Sequence, residues 1–363
     1  MSLDDLPLRA DLRGQTPYGA PQAALPVALN VNENTHPVPD EVAGDILDSV
    51  ARALREINRY PDREFTALRE GFAEYLGHGL GPEQIWAANG SNEVLQHVLQ
   101  AFAGPGRTAF SFAPTYSMYP EYARDTSTAW VVGRRAEDFT LEPEHARAVI
   151  ADHAPSVVLL ASPNNPTGTA LPLDTARAVL DAAARVPGGC VVVVDEAYGE
   201  FRRAGTPSAL ELLDAYPHLA VTRTMSKAFG LAGARVGYLT ASRELVDALR
   251  VVRLPYHLSA VTQAVARAAL AHAPELMAQV GSLRAERDAL VTWLREHGFE
   301  AADSDANFVL FGRFDDREAV WQGLLERGVL VRVTGPEGWL RVSVGTPQET
   351  AAFKDALVEV AGR

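Results

Sequence analysis

Lys227 closes the run Thr224-Met225-Ser226-Lys227, and Arg235 follows eight positions later. The surrounding segment, VTRTMSKAFGLAGARVGY (221–238), is an apolar strand ending in hydroxyl residues, then a lysine, then a glycine-broken loop carrying an arginine. An amine beside hydroxyls and a guanidinium is what pyridoxal 5'-phosphate (PLP) requires. The amine forms a Schiff base with the aldehyde, and the other groups hold the phosphate. Surface Ser-Lys pairs are common, so this stretch gains its meaning from the rest of the chain.

Asp195 ends the apolar run CVVVVD (190–195). The plain reading is a helix cap or loop carboxylate. The chemical reading is a partner for a pyridine nitrogen, because a nearby negative charge keeps that nitrogen protonated and makes the ring an electron sink. Tyr198, three residues on, is placed to donate to the ring's phenolate oxygen. Asn165, in the turn-forming SPNNPTG (162–168), is placed to donate to the same oxygen, which lowers the Schiff-base pKa. NGSNE (89–93) opens a helix. Gly90 permits close approach, and the amides of Ser91 and Asn92 face an anion with the helix dipole behind them. Its plain reading is an N-cap at Ser91 or Asn92. Tyr116, in PTYSMY, can stack on a flat heteroaromatic ring, or belong to the core. Arg341, in WLRVSVG, offers a planar fork for a carboxylate or phosphate, or an ordinary surface ion pair.

These residues need a scaffold that gathers them. Helical spacing of apolar residues runs over 45–58 and 64–76. Strand-like runs follow at 85–88, 108–112, 129–132, 156–162, 190–197, 219–224 and 236–241, with a helix from about Asn92 to Phe102. Short apolar runs separated by helices predict an α/β fold with a mostly parallel sheet covered on both faces. Sites in such folds gather at the carboxyl ends of the strands, where Asn165, Asp195 and 224–227 lie. Beyond Leu258 a helical region spans 260–297, broken near Pro274, and strands follow at 307–311, 329–333 and 339–344. The expected organisation is an N-terminal arm (1–40) joining the smaller domain, a large domain (41–258) and a smaller α+β domain (259–363).

Composition sets the outer limits. A chain of 363 residues with 47% hydrophobic and 22% charged residues is an ordinary globular protein, long enough for two domains. A net charge of −13 argues against binding along a nucleic-acid backbone. Cys190 is the only cysteine, which excludes an internal disulfide and a cysteine-built metal site. It reads as a buried strand residue. The nine histidines show no metal-ligand spacing, and His36, His78 and His97 read as surface or packing residues. No apolar run approaches the ~18 residues of a membrane span, and the polar N-terminus lacks a signal-peptide pattern, so a cytoplasmic location is expected.

The motifs occur together and in order. LNVNEN (29–34), RYPD (59–62), ANGSNE (88–93), PTYSMY (114–119), SPNNPTG, VDEAYGEF (194–201), RTMSKAFGLAGARVGY (223–238), RLPYHLS (253–259), DANFVLF (305–311) and LRVSVGT (340–346) span nearly the whole chain. In this the chain resembles fold-type I PLP enzymes, and within them the histidinol-phosphate aminotransferase family of the class II aminotransferases. The resemblance implies that Lys227 is the Schiff-base lysine and proton shuttle, and Asp195 the pyridinium partner. It implies that Asn165 and Tyr198 serve the phenolate oxygen, that Tyr116 stacks on the ring, and that Ser91, Asn92, Thr224, Ser226 and Arg235 form the phosphate cup. Tyr60, in RYPD, is implied to reach the cofactor phosphate of a neighbouring subunit, making a homodimer with shared sites. Arg341 is implied to bind the substrate anion, with Tyr18, Asn30 and Arg332 as further substrate-side residues.

The implied reaction is L-histidinol phosphate + 2-oxoglutarate ⇌ imidazole acetol phosphate + L-glutamate, in histidine biosynthesis. One departure stands out: the family's NEN is followed by proline, and here Thr35-His36-Pro37 follows Asn34. That change is expected to bear on the arm over the substrate. Three alternatives remain: an aromatic amino-acid aminotransferase on the same scaffold, a lyase resembling the threonine-phosphate decarboxylases, and a non-catalytic PLP-sensing module.

Overall fold

The computed structural model describes residues 5–19 and 21–362. In chain order the strands are β1 (Val27–Ala28), β2 (Ile85–Ala88), β3 (Thr108–Ala113), β4 (Ala129–Arg134), β5 (Val157–Ala161), β6 (Val191–Asp195) and β7 (Leu219–Thr224). Then come β8 (Gly237–Ala241), β9 (Glu300–Ala301), β10 (Phe308–Gly312), β11 (Val329–Leu330), β12 (Arg332–Val333) and β13 (Trp339–Ser343). Seven of them make one sheet in the order β2-β8-β7-β6-β5-β3-β4. All pairs are parallel except those of β8, which runs antiparallel to both β2 and β7.

Sequence accounts for this layout. β5 and β6 read VVLLA and VVVVD, and every residue in them is buried. Continuous β-branched runs of this kind suit parallel strands covered on both faces. Each such valine contributes roughly 1.5–3 kcal/mol by leaving water. β8 fits beside β2 because Gly237 has no side chain: a Cβ there would collide with the backbone of Ser91, the first residue of the helix Ser91–Phe102. The glycine therefore lets that helix start directly over the sheet edge.

Two large hydrophobic cores are built among the described residues, beside a small third cluster around Phe139 and Trp339. The larger surrounds the seven-stranded sheet, and the smaller collects Val27, Leu29, Val309, Phe311, Val329, Val342 and Phe353. The helix Ala273–Glu296 serves both, with Leu276, Val280 and Leu283 in the first and Leu290, Val291 and Leu294 in the second. β9, β10, β12 and β13 form an antiparallel sheet over the smaller core.

Some elements differ from the sequence expectation. The first long helix is Asp40–Leu54, not 45–58. It starts directly after Pro39, and Asp40 and Glu41 in its first turn complement the positive end of the helix dipole. The helical break, by contrast, falls at His272 as expected near Pro274, which takes an early position in the next helix where its missing N–H costs nothing. The expected strand 329–333 is two strands. β11 pairs with β1 of the arm, and β12 pairs with β13. Val331 at the switch is buried, and Arg332 follows it. Cys190 is buried immediately before β6, and burial pushes its thiol up to about 12.

Candidate active site

β7 delivers Thr224 to its carboxyl end, and the chain then folds back so that Met225 N donates to Val236 O (3.0 Å) and Leu231 N to Met225 O (3.0 Å). This closed loop presents Lys227 to a chamber lined also by Ser91, Asn92, Tyr116, Asn165, Asp195, Tyr198, Thr224, Ser226 and Arg235. Lys227 Nζ donates to Val31 O at 2.9 Å. Burial lowers its pKa to about 8, helped by the positive charges of Arg341 and Arg235 and opposed by Glu33. The amine is thereby brought toward its neutral, nucleophilic form.

One end of the chamber is built for an anion. The helix Ser91–Phe102 is capped by Gly90, not by Ser91 or Asn92 as a cap reading expected, and no side chain caps its amides. Glu93, in the first turn, is turned away to accept from Asn89 N (2.6 Å) and Nδ2 (2.7 Å). Thr224 Oγ1 donates to Ser226 Oγ at 3.0 Å, and Arg235 Nη1 reaches the same oxygen at 3.4 Å. Arg235 adopts a left-handed backbone (φ 56°), unusual outside glycine and typical of functional positions. Gly90 (φ 88°) also makes room here, since a Cβ would press on the Arg235 guanidinium.

The middle of the chamber holds a buried carboxylate. Asp195 accepts from Tyr119 Oη (3.0 Å), Thr222 Oγ1 (3.1 Å) and Ala197 N (3.1 Å). Burial raises its pKa, and these three donors oppose the rise. No arginine, lysine or histidine forms a salt bridge with it among the described residues. A buried carboxylate that lacks a counter-ion is costly and favours a cationic partner. Tyr119 and Thr222 were not singled out from sequence. Tyr119 lies within the quoted PTYSMY, and Thr222 shares a strand face with Thr224, so alternation along β7 was the available signal.

On another wall, Tyr198 is buried and its hydroxyl is shared by two amides, Asn32 Nδ2 at 3.0 Å and Asn165 Nδ2 at 3.5 Å. Burial raises the Tyr198 pKa. The half-buried Tyr116 stands edge-on to Tyr119, with ring centroids 5.5 Å apart.

A second chamber adjoins the first and shares Tyr116, Asn165, Tyr198 and Lys227 with it. Its other walls bring together Tyr18, Asn30, Arg332 and Arg341. Arg341 is buried and donates to Asn165 Oδ1 (2.5 Å) and Asn30 O (2.9 Å), while its Nε has no partner. It lies 5.1 Å over the Phe308 ring. Burial lowers its pKa, and among the described residues no aspartate or glutamate forms a salt bridge with it. Asn30 supports the arginine with its carbonyl, while its side-chain amide turns away to Pro21 O (2.8 Å). Tyr18 Oη shares a hydrogen bond with Ser117 Oγ (2.8 Å), and Arg332 Nη2 reaches Gly19 O at 3.5 Å.

Tyr60 is not brought into either chamber. It is 80% exposed and stacks on Tyr256, with centroids 4.4 Å apart. Thr35 and His36 line neither chamber. Asn34 instead accepts from His36 N (3.0 Å) and donates to Ala228 O (3.3 Å), so this segment braces the lysine loop.

The residues fit PLP. A helix end that no side chain caps, with two hydroxyls and an arginine, suits the phosphate. A buried carboxylate without a counter-ion suits a protonated ring nitrogen, and an amine of lowered pKa suits the aldehyde. The family described as aminotransferase class I and II matches over residues 26–357. The histidinol-phosphate aminotransferase of Thermobifida fusca is 61% identical over 362 residues, covering 100% of this chain and 97% of that protein. The histidinol-phosphate aminotransferase of Sinorhizobium meliloti, solved in complex with pyridoxal-5'-phosphate, superposes with a TM-score of 0.82 at 25% identity, over 93% of this chain and 91% of its own. A mutant aspartate aminotransferase of Thermus thermophilus superposes with a TM-score of 0.81 at 25% identity, over 97% and 99%. The shared fold and the equal identity to these two structures therefore do not separate the two substrate classes; the 61% identity to the Thermobifida fusca protein points to the first.

Proposed function

Because the chain belongs to the class I and II aminotransferase family, we propose that it is a PLP-dependent transaminase converting L-histidinol phosphate and 2-oxoglutarate to imidazole acetol phosphate and L-glutamate, in L-histidine biosynthesis. The carrying observation is the 61% identity to the Thermobifida fusca enzyme over the full chain.

The second chamber supports this choice. Histidinol phosphate carries a phosphomethyl group where glutamate carries its α-carboxylate, so one pocket must accept either anion. Arg341, buried, unpaired by any carboxylate and with a free Nε–H to donate, suits either anion, and Arg332 and Tyr18 enlarge the pocket.

Bound in the first chamber, PLP supplies the electron sink through which the amino group is exchanged. Asp195 would hold the ring nitrogen protonated, and Tyr116 would stack on the ring. Asn165 and Tyr198 address the phenolate oxygen. Ser91, Asn92, Thr224, Ser226 and Arg235 hold the phosphate. Lys227 Nζ, whose pKa is lowered to about 8, would form the covalent link to the aldehyde and, once released, would move the proton at the substrate's amine-bearing carbon.

The dimer belongs to the same proposal. Leu54, Ile57 and Leu254 are 53%, 52% and 76% exposed, and Tyr60 is 80% exposed in its stack on Tyr256. Exposed apolar residues of this size favour a protein partner. In a homodimer Tyr60 would complete the partner's phosphate cup, beside an Arg235 that is itself exposed in the single chain. Glutamate formation from histidinol phosphate and 2-oxoglutarate by purified protein tests the assignment. Turnover with phenylalanine and none with histidinol phosphate would move it to the aromatic aminotransferases.

A further inference from the structure

We propose that Asn32 and Ser343 form a positioning pair that turns the hydroxyl proton of Tyr198 into the cofactor chamber. The inference rests on the reading of that chamber as the PLP site.

Asn32 sits in the N-terminal segment, buried and in a left-handed conformation (φ 56°) that asparagine tolerates better than most residues. Its carbonyl accepts from Asn307 Nδ2 (3.0 Å), which secures the turn. Ser343, buried at the end of β13, makes a two-way contact with it. Ser343 Oγ accepts from Asn32 N (2.8 Å) and donates to Asn32 Oδ1 (3.1 Å). An amide's two ends are told apart by their partners. With Oδ1 satisfied by Ser343, the Nδ2 end faces Tyr198 Oη at 3.0 Å and can only donate. A flipped amide would leave the buried Ser343 hydroxyl without an acceptor among the described residues, which is costly.

Asn165 is fixed by the same logic. Arginine has no acceptor, so Asn165 Oδ1 must face Arg341 Nη1 and its Nδ2 must face Tyr198. Two amide donors then point at one phenol oxygen, which has two acceptor sites and one proton. That proton has no acceptor among the described residues, and Tyr198 lines the PLP chamber. The tyrosine is therefore set as a donor toward the chamber, where the phenolate oxygen of PLP is the matching acceptor. Ser343 lines neither chamber and Asn32 borders only the second; the pair acts on the cofactor through Tyr198.

The test reads the bound cofactor's spectrum, not turnover. PLP affinity and the pH midpoint of the visible absorption change of bound PLP are measured for wild type, Asn32→Asp, Ser343→Ala and Tyr198→Phe. The two pair variants are also combined with Tyr198→Phe. Ser343→Ala frees the amide to flip, and Asn32→Asp offers an acceptor, so each diverts the tyrosine proton away from PLP. The midpoint is expected to rise by about one pH unit in at least one of them, because a donor to the phenolate oxygen is lost. With Tyr198→Phe present, neither change should add a further shift. Unchanged midpoints in both variants, or equal shifts with and without the tyrosine hydroxyl, overturn the pair. Absence of PLP binding by the wild type overturns the site reading as well.

Discussion

Arg341 and Asn165 are joined by a 2.5 Å hydrogen bond that ties the anion chamber to the cofactor chamber. The arginine comes from β13 and the asparagine from the loop after β5, so in the proposed reading recognition of the substrate anion and support of PLP share one bond. Arg341→Lys keeps a positive charge but loses the fork. We expect KM for both histidinol phosphate and 2-oxoglutarate to rise by roughly 10- to 100-fold, the worth of one or two charge-assisted hydrogen bonds. Steady-state kinetics with each substrate varied in turn check this. A rise for one substrate only would mean the two anions use separate pockets.

Lys227 gives a pH dependence with a definite sign. Its pKa is lowered to about 8, chiefly by burial. Below that value the amine is protonated and cannot attack an aldehyde. Uptake of PLP by the apoprotein should therefore accelerate about tenfold per pH unit up to about pH 8 and then level off. Stopped-flow absorbance would show it; continued acceleration to pH 10 would mean an unperturbed lysine. Lys227→Ala should abolish covalent capture and lower transamination by about a thousandfold or more while leaving the fold intact.

Asp195 and its holder separate charge from orientation. Asp195→Asn removes the negative charge and should weaken PLP binding by about tenfold or more, with slower transamination. Tyr119→Phe removes one donor at 3.0 Å and keeps the charge. It should raise the Asp195 pKa further and weaken PLP binding by less than the Asn variant does. Equilibrium titration of the two apoproteins with PLP distinguishes them. A larger loss for Tyr119→Phe would contradict this order.

The proposed dimer is argued from the exposed apolar residues Leu54, Ile57 and Leu254 and from Tyr60. Leu254→Glu places a charge there without touching either chamber, and should yield a monomer by sedimentation velocity. Tyr60→Phe should keep the dimer and weaken PLP, since only the hydroxyl is lost. A Leu254→Glu protein that remains dimeric would place the interface elsewhere.

Much of this was legible in the chain because the signals are local. VVVVD announces a buried strand ending in a carboxylate, and MSK followed by Arg235 announces an amine beside an anion site. The Tyr119–Asp195 bond was not legible, because it joins residues 76 apart that meet only once β3 and β6 line up on either side of β5. Asn32 and Ser343 are 311 residues apart. Nothing near either one says that they share two hydrogen bonds. The strand at 329–333 misled for a related reason: its apolar pattern is continuous, but its two halves find partners in different sheets. The start of the first helix at Asp40 depended on acidic residues and a proline, a signal that apolar periodicity alone does not register.

The substrate assignment is tested most directly by kcat/KM for L-histidinol phosphate against L-phenylalanine, each with 2-oxoglutarate. The buried, acid-free Arg341 and the full-length identity to histidinol-phosphate aminotransferase predict a preference for histidinol phosphate of about a hundredfold or more, the worth of the phosphate contacts. Equal values, or a preference for phenylalanine, would contradict the assignment and leave a PLP aminotransferase of aromatic or dual specificity.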